Sequence, residues 1–173
     1  DLQRTDRRPA LMVYPNYLFL SLFQPRIRKN TVSDEEIHCL INGKYLITVR
    51  NSDATAVDDA YNRIIQNPES WNRGVAYFLY LTMQYVVDSY YPLLDRISNQ
   101  LNTLEEKLLL TSDSTTQVRR PVYNIKQQLI NLRQMVAPQR EVLSSVIGES
   151  RLSSDVETRD LFRHLYERLL RVY

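Results

Sequence analysis

The chain has 173 residues, of which 43% are apolar and 24% charged, and its formal net charge is +2. This fits one domain, or one domain with an extension, and near-balanced charge implies no strong field for nucleic acid or a membrane surface. The single cysteine, Cys39, excludes an internal disulfide and points to a reducing compartment, while three glycines, Gly43, Gly74 and Gly148, cannot build a phosphate-cradling loop.

In chain order, residues 1–9 are polar, end in Pro9 and read as a helix end or a loop leading into a strand. Residues 10–14 are a short apolar run closed by the turn signal Pro15-Asn16. Residues 17–23, rich in aromatic and large aliphatic side chains, predict a buried strand, and residues 24–34 a polar loop. Residues 36–41 and 44–49 flank Asn42-Gly43, which predicts a hairpin with a type I′ turn, since that turn needs positive φ at both central positions. Strands in succession predict a mixed, partly antiparallel sheet covered by helices, an α/β (α+β) fold. Residues 56–66 predict a short helix stopped by Asn67-Pro68.

From Trp71 the period changes. Tyr90, Leu94, Ile97, Leu101, Leu104 and Leu108 recur at alternating spacings of four and three, and Val118, Val122, Ile125, Leu129, Leu132 and Val136 repeat the rhythm. This puts one apolar stripe on each of two helices. The polar run 111–116 between them suits a turn, so a long antiparallel helical hairpin is expected. Its first arm, over residues 71–110, would be roughly 60 Å long at about 1.5 Å per residue. Pro92 and Pro138 predict kinks, whereas Pro121 comes early enough in its arm to be tolerated. Residues 148–154 read as a break, and a third helix begins at Ser154-Asp155 with Leu161, Leu165, Leu169 and Val172. The chain starts at Asp1 without Met and stops at Tyr173 inside this pattern, so it reads as a fragment. No apolar run of about 18 residues and no signal peptide are visible.

Catalytic constellations are not supported, and the chain is not expected to be an enzyme. His38 and Cys39 are neighbours in a strand and face opposite ways, one to the core and one to the surface, and His164 is remote in sequence. Metalloprotease, paired-cysteine, nucleophile-elbow and Walker patterns are missing. Tyr77, Tyr80, Tyr85, Tyr90 and Tyr91 cluster where a buried helix is expected, which favours core packing over stacking on nucleic acid.

Tyr77-Phe78-Leu79-Tyr80 together with Val87-Asp88-Ser89-Tyr90-Tyr91-Pro92-Leu93-Leu94 resembles the "YLLY…LVDxYxxLL" segment of the CorA family of divalent-cation transporters. Leu104-Glu105-Glu106 is similar to that family's "LEE", and the run from Pro138 to Ser145 to its "PxREVLSS". Arg8-Pro9 followed by Tyr17-Leu18-Phe19 is similar to "RPK…NYxFxxL", and the run from Thr158 to His164 to "FRDVYDH". The motifs span nearly the whole chain in the family's order.

The resemblance implies the cytosolic domain of an integral membrane transporter at the cytoplasmic face of the inner membrane, pentameric when complete and monomeric as a fragment. Its parts would be a sheet subdomain over 1–70 truncated at its start, a helical hairpin over 71–150, and over 151–173 the start of a stalk helix leading to membrane segments outside the chain. It also implies a regulatory divalent-cation site between subunits, with Mg²⁺ or Co²⁺ both sensed and transported. Two positions match the family's acidic ligands: Asp160, in the "FRD" position, and Asp1, eight residues before Pro9. Hard cations take oxygen ligands and often keep water. Gln84 stands where the family often has an acidic residue ahead of Asp88, so a second cation site would lack that ligand, and Asp88 is read as a helix-packing hydrogen-bond acceptor. The competing readings are a ZntB-like zinc transporter domain and a soluble coiled-coil adaptor.

Overall fold

A computed structural model describes residues 8–28, 31–110, 115–153 and 155–172. Four strands, β1 (Ala10–Val13), β2 (Leu18–Arg28), β3 (Thr31–Ile41) and β4 (Leu46–Arg50), form one sheet in the order of the sequence. Every pair is antiparallel, because each strand follows its spatial neighbour directly and no crossover intervenes. The sheet is thus less mixed than expected. Strands β2 and β3 also run through the stretch expected as a polar loop, with Gln24 opposite Glu35 and Arg26 opposite Ser33. The polar side chains there do not mark a loop, since Gln24 and Glu35 are themselves buried.

The β3–β4 hairpin forms at Asn42-Gly43, but not by a type I′ turn, because Gly43 does not have positive φ. Instead the Asn42 side-chain oxygen accepts the Lys44 and Tyr45 backbone N–H groups at 2.8 and 3.2 Å. The asparagine builds the turn with its side chain. Cys39 faces the core with Leu20 and Ile37, and burial pushes its thiol up to about 12. His38 turns to the other face, as alternation requires, but lies stacked on Phe19 at 5.4 Å instead of open to solvent.

Helix α1 (Ala56–Gln66) packs on α2 (Gly74–Asp88) through Ala60, Ile64 and Leu81. The segment 68–73, expected as α-helix from Trp71, is a 3₁₀ turn. It hands over at Gly74, whose φ of 77° only glycine adopts without strain. The expected long arm is also broken at Ser89-Tyr90, and α3 (Tyr91–Leu110) follows. Pro92 has no N–H for the Asp88 carbonyl, so the ladder stops there. Pro138 does not interrupt its helix: α4 (Thr115–Gly148) runs unbroken past it.

Helices α3 and α4 form the expected antiparallel hairpin, but only half of each stripe is buried. Ile97, Leu104, Ile125, Leu132 and Val136 fill the seam, whereas Leu101, Leu108, Val122 and Leu129 are 44–48% exposed. Two helices alone have one contact line, so the second row of an alternating pattern is left facing out. Gln100 and Gln128 hydrogen-bond within the seam at 2.9 Å and fix its register. Finally α5 (Val156–Val172) packs on both α4 and α2, burying Phe162, Leu165, Leu169 and Val172.

Candidate metal site

Asp155 starts α5. Its carboxylate accepts the Thr158 backbone N–H at 2.7 Å, which satisfies one of the free donors of the first turn. That bond holds the carboxyl below its usual range. The lowered folded-state value means that the cap is fully present above the ordinary aspartate range and is lost as pH falls through the lowered value. The Thr158 amide is therefore expected to lose exchange protection on acidification, and to keep it in Asp155→Asn, whose amide oxygen caps without titrating. An acid response that survives in the asparagine variant would refute this.

Asp160 lies on the same helix. Thr158, Phe162, Leu165 and Leu169 point into the core. At 100° per residue, Asp160 projects from the opposite side. Its side chain is 50% exposed and lies 3.5 Å from the Arg163 guanidinium. Glu167, on the same outer face, is exposed. Asp1 lies outside the described residues, so its placement relative to Asp160 is not described. Among the described residues no three His, Cys, Asp or Glu side chains gather where they could hold a metal ion. One half-exposed carboxylate beside an arginine suits a hard, hydrated cation only if further oxygens come from another copy.

Asp88 is engaged by the protein itself: it accepts a charge-assisted hydrogen bond from Arg168 across the α2–α5 seam. Partial burial opposes the charge on Arg168, but Asp88 and Tyr91 outweigh it and raise its pKa. At the other end of the seam Arg73 pairs with Glu157. Sequence reasoning found Asp88 as an acceptor but not its partner, since no local spacing joins residues 80 positions apart. Two concavities lie away from Asp160: one is an open groove along the hairpin beside Asn99 and Gln128, the other lies between Asp34 and Pro138.

The model of the family described as CorA-like Mg²⁺ transporter protein matches residues 1–173. The chain belongs to that family. The CorA-like chain is 26% identical over 180 residues to the cobalt/magnesium transport protein CorA of Thermotoga maritima, covering 99% of this chain and 49% of that protein. It spans about half the length of the curated relatives it matches. Its fold is similar to that of the matched half of the complete CorA magnesium transporter of Methanocaldococcus jannaschii, with a TM-score of 0.79 at 19% identity over 95% of this chain and 52% of that one. The ZntB cytoplasmic domain of Vibrio parahaemolyticus has the same fold, with a TM-score of 0.70 at 17% identity over 99% of this chain and 67% of that one. Fold alone therefore does not choose the ion. No helix among the described residues is long and apolar enough to cross a membrane.

Proposed function

We propose that this chain is the cytosolic, ion-sensing part of a CorA-like divalent-cation transporter, in which Asp160 and Asp1 of neighbouring copies hold a regulatory Mg²⁺. The observation that carries this reading is the outward presentation of the half-exposed Asp160 on a helix whose other side is anchored in the core. The proposal includes the division into sheet subdomain, hairpin and stalk at residues 70 and 150, a pentameric assembly at the cytoplasmic membrane face, and no enzymatic role. Transported Mg²⁺ or Co²⁺ would be cargo for segments other than these.

The physical basis is repulsion. Carboxylates brought together from two copies disfavour the assembled state when both are ionised. A bound divalent cation reverses the sign of that interaction, so it shifts the population toward the assembly that binds it better. Arg163, close to Asp160, is the local competitor for the carboxylate and would weaken the site in one copy alone.

A zinc-dedicated site is disfavoured, since zinc prefers nitrogen and sulfur ligands. Cys39 is buried with its thiol pushed up to about 12, and His38 faces away from it. The family match likewise displaces the coiled-coil adaptor.

The test is thermal stability of the associated protein with millimolar Mg²⁺ or with chelator. A cation at a hundredfold excess over its Kd stabilises by about 2.7 kcal/mol. Asp160→Asn is expected to lose most of the Mg²⁺ response while unfolding normally in chelator. An equal Mg²⁺ response in both proteins would remove Asp160 from the site.

A further inference from the structure

Helix α5 is fastened to α2 at both ends by arginines. Arg73 pairs with Glu157 and its guanidinium lies over the Tyr77 ring, 4.0 Å from the centroid. Arg168 pairs with Asp88 and lies 5.8 Å from the centroid of Tyr91. Between them the only ring contact from α2 to α5 among the described residues is Tyr80 edge-on to Phe162 at 6.0 Å. The start of α2 meets the start of α5 and the end meets the end, so the two helices run parallel.

The charges alternate. At one end the cation is on the α2 side and the anion on α5, and at the other end the reverse holds. An α5 turned end for end would bring Arg168 to Arg73 and Glu157 to Asp88, and both meetings would be repulsive. Only the parallel setting satisfies both pairs. Glu157, in the first turn of α5, also suits its own helix dipole. Asp88 does not: it is the last residue of α2, where a negative charge is unfavourable, so its place is explained by Arg168 and not by its own helix.

Both pairs also lie on one flank of α5. At 100° per residue, Glu157 and Arg168 project within about 20° of each other, and Asp160 about 60–80° further round. The angle through which α5 is rolled on α2 therefore decides where the Asp160 carboxylate points. We propose that Arg73 and Arg168 are positioning residues for Asp160, which lock the roll and direction of α5 without touching a cation themselves. This rests on the cation reading of Asp160. It adds that the α2–α5 seam carries its own permanent counter-cations, so the seam responds to salt and not to Mg²⁺.

The test is hydrogen exchange of the α5 amides in the chain itself, in chelator and in millimolar Mg²⁺, joined to the Mg²⁺ midpoint of the thermal shift. Arg168→Gln, and Glu157→Gln at the 75% exposed end where misfolding is not a concern, are expected to speed α5 exchange several-fold in both conditions. They should also raise the Mg²⁺ midpoint several-fold. The swapped pair Asp88→Arg with Arg168→Asp should restore both readouts. Unchanged exchange in the single variants, no recovery in the swap, or faster exchange with an unmoved Mg²⁺ midpoint would each overturn the positioning role. An undiminished Mg²⁺ response in Asp160→Asn would instead overturn the cation reading, whatever the exchange data say about the seam.

Discussion

Phe162→Ala is expected to lower the stability of the chain by about 4 kcal/mol, the middle of the range for emptying a phenylalanine site in a core. The ring is fully buried, meets Tyr80 edge-on, and stands on the face of α5 that packs against α4 and α2. Its neighbours Leu165 and Leu169 sit on the same rigid helix and cannot move independently into the space left behind. The measurement is the denaturant midpoint, with an unchanged slope showing that the unfolded states match. A loss below about 1 kcal/mol would mean that the site collapses around the alanine, and that α5 is held by its ionic ends more than by its core face. The expected loss links stability to the proposed role, since Phe162 anchors the helix that turns Asp160 outward.

What was legible in the sequence was what local chemistry decides. Asn42-Gly43 announced a hairpin, and the stripe through Ile97, Leu104, Ile125 and Leu132 announced a helical pair. The errors arose where a local rule met a tertiary constraint. Asn42 closed its turn with a side-chain oxygen instead of a backbone twist. Pro92 ended a helix and Pro138 did not: after Pro92 the chain changes course into α3, whereas Pro138 is followed by side chains buried on one unbroken helix, Gln139, Val142, Leu143 and Val146. Packing outweighs one missing backbone bond there. The outward face of Asp160 follows from helical period alone, since Thr158 and Phe162 flank it at two residues on either side. The ion pairs that fasten its helix do not follow, because Arg73 with Glu157 and Arg168 with Asp88 join parts of the chain that are distant in sequence.

Gln139→Leu should cost about 3 kcal/mol although it adds no charge and little volume, because it strands polar groups in a dry place. Strand β1 pairs with β2 only between Leu18 and Ser21, so the backbone of Phe23 lies beyond its reach. The Gln139 amide takes the place of a longer β1. Its Nε2 donates to the Phe23 carbonyl at 2.8 Å, and its Oε1 accepts the Phe23 N–H at 3.4 Å. The Tyr90 hydroxyl donates to the same carbonyl at 3.3 Å and also accepts from Gln139. Gln139 is 4% exposed and Tyr90 0%, so water cannot substitute for a lost partner, and burial raises the Tyr90 hydroxyl pKa. Leucine leaves the Phe23 N–H without its acceptor and the tyrosine without its donor, each worth about 1–3 kcal/mol when buried. Tyr90→Phe removes only one of the two donors to the Phe23 carbonyl, so it should cost about 1 kcal/mol. That ordering separates a polar-network account from a packing account, which would rank the two conservative changes alike. If Gln139→Leu unfolds at the wild-type denaturant midpoint, the amide is not what ties α4 to the open edge of the sheet, and the junction of hairpin and sheet must be held by apolar contact alone.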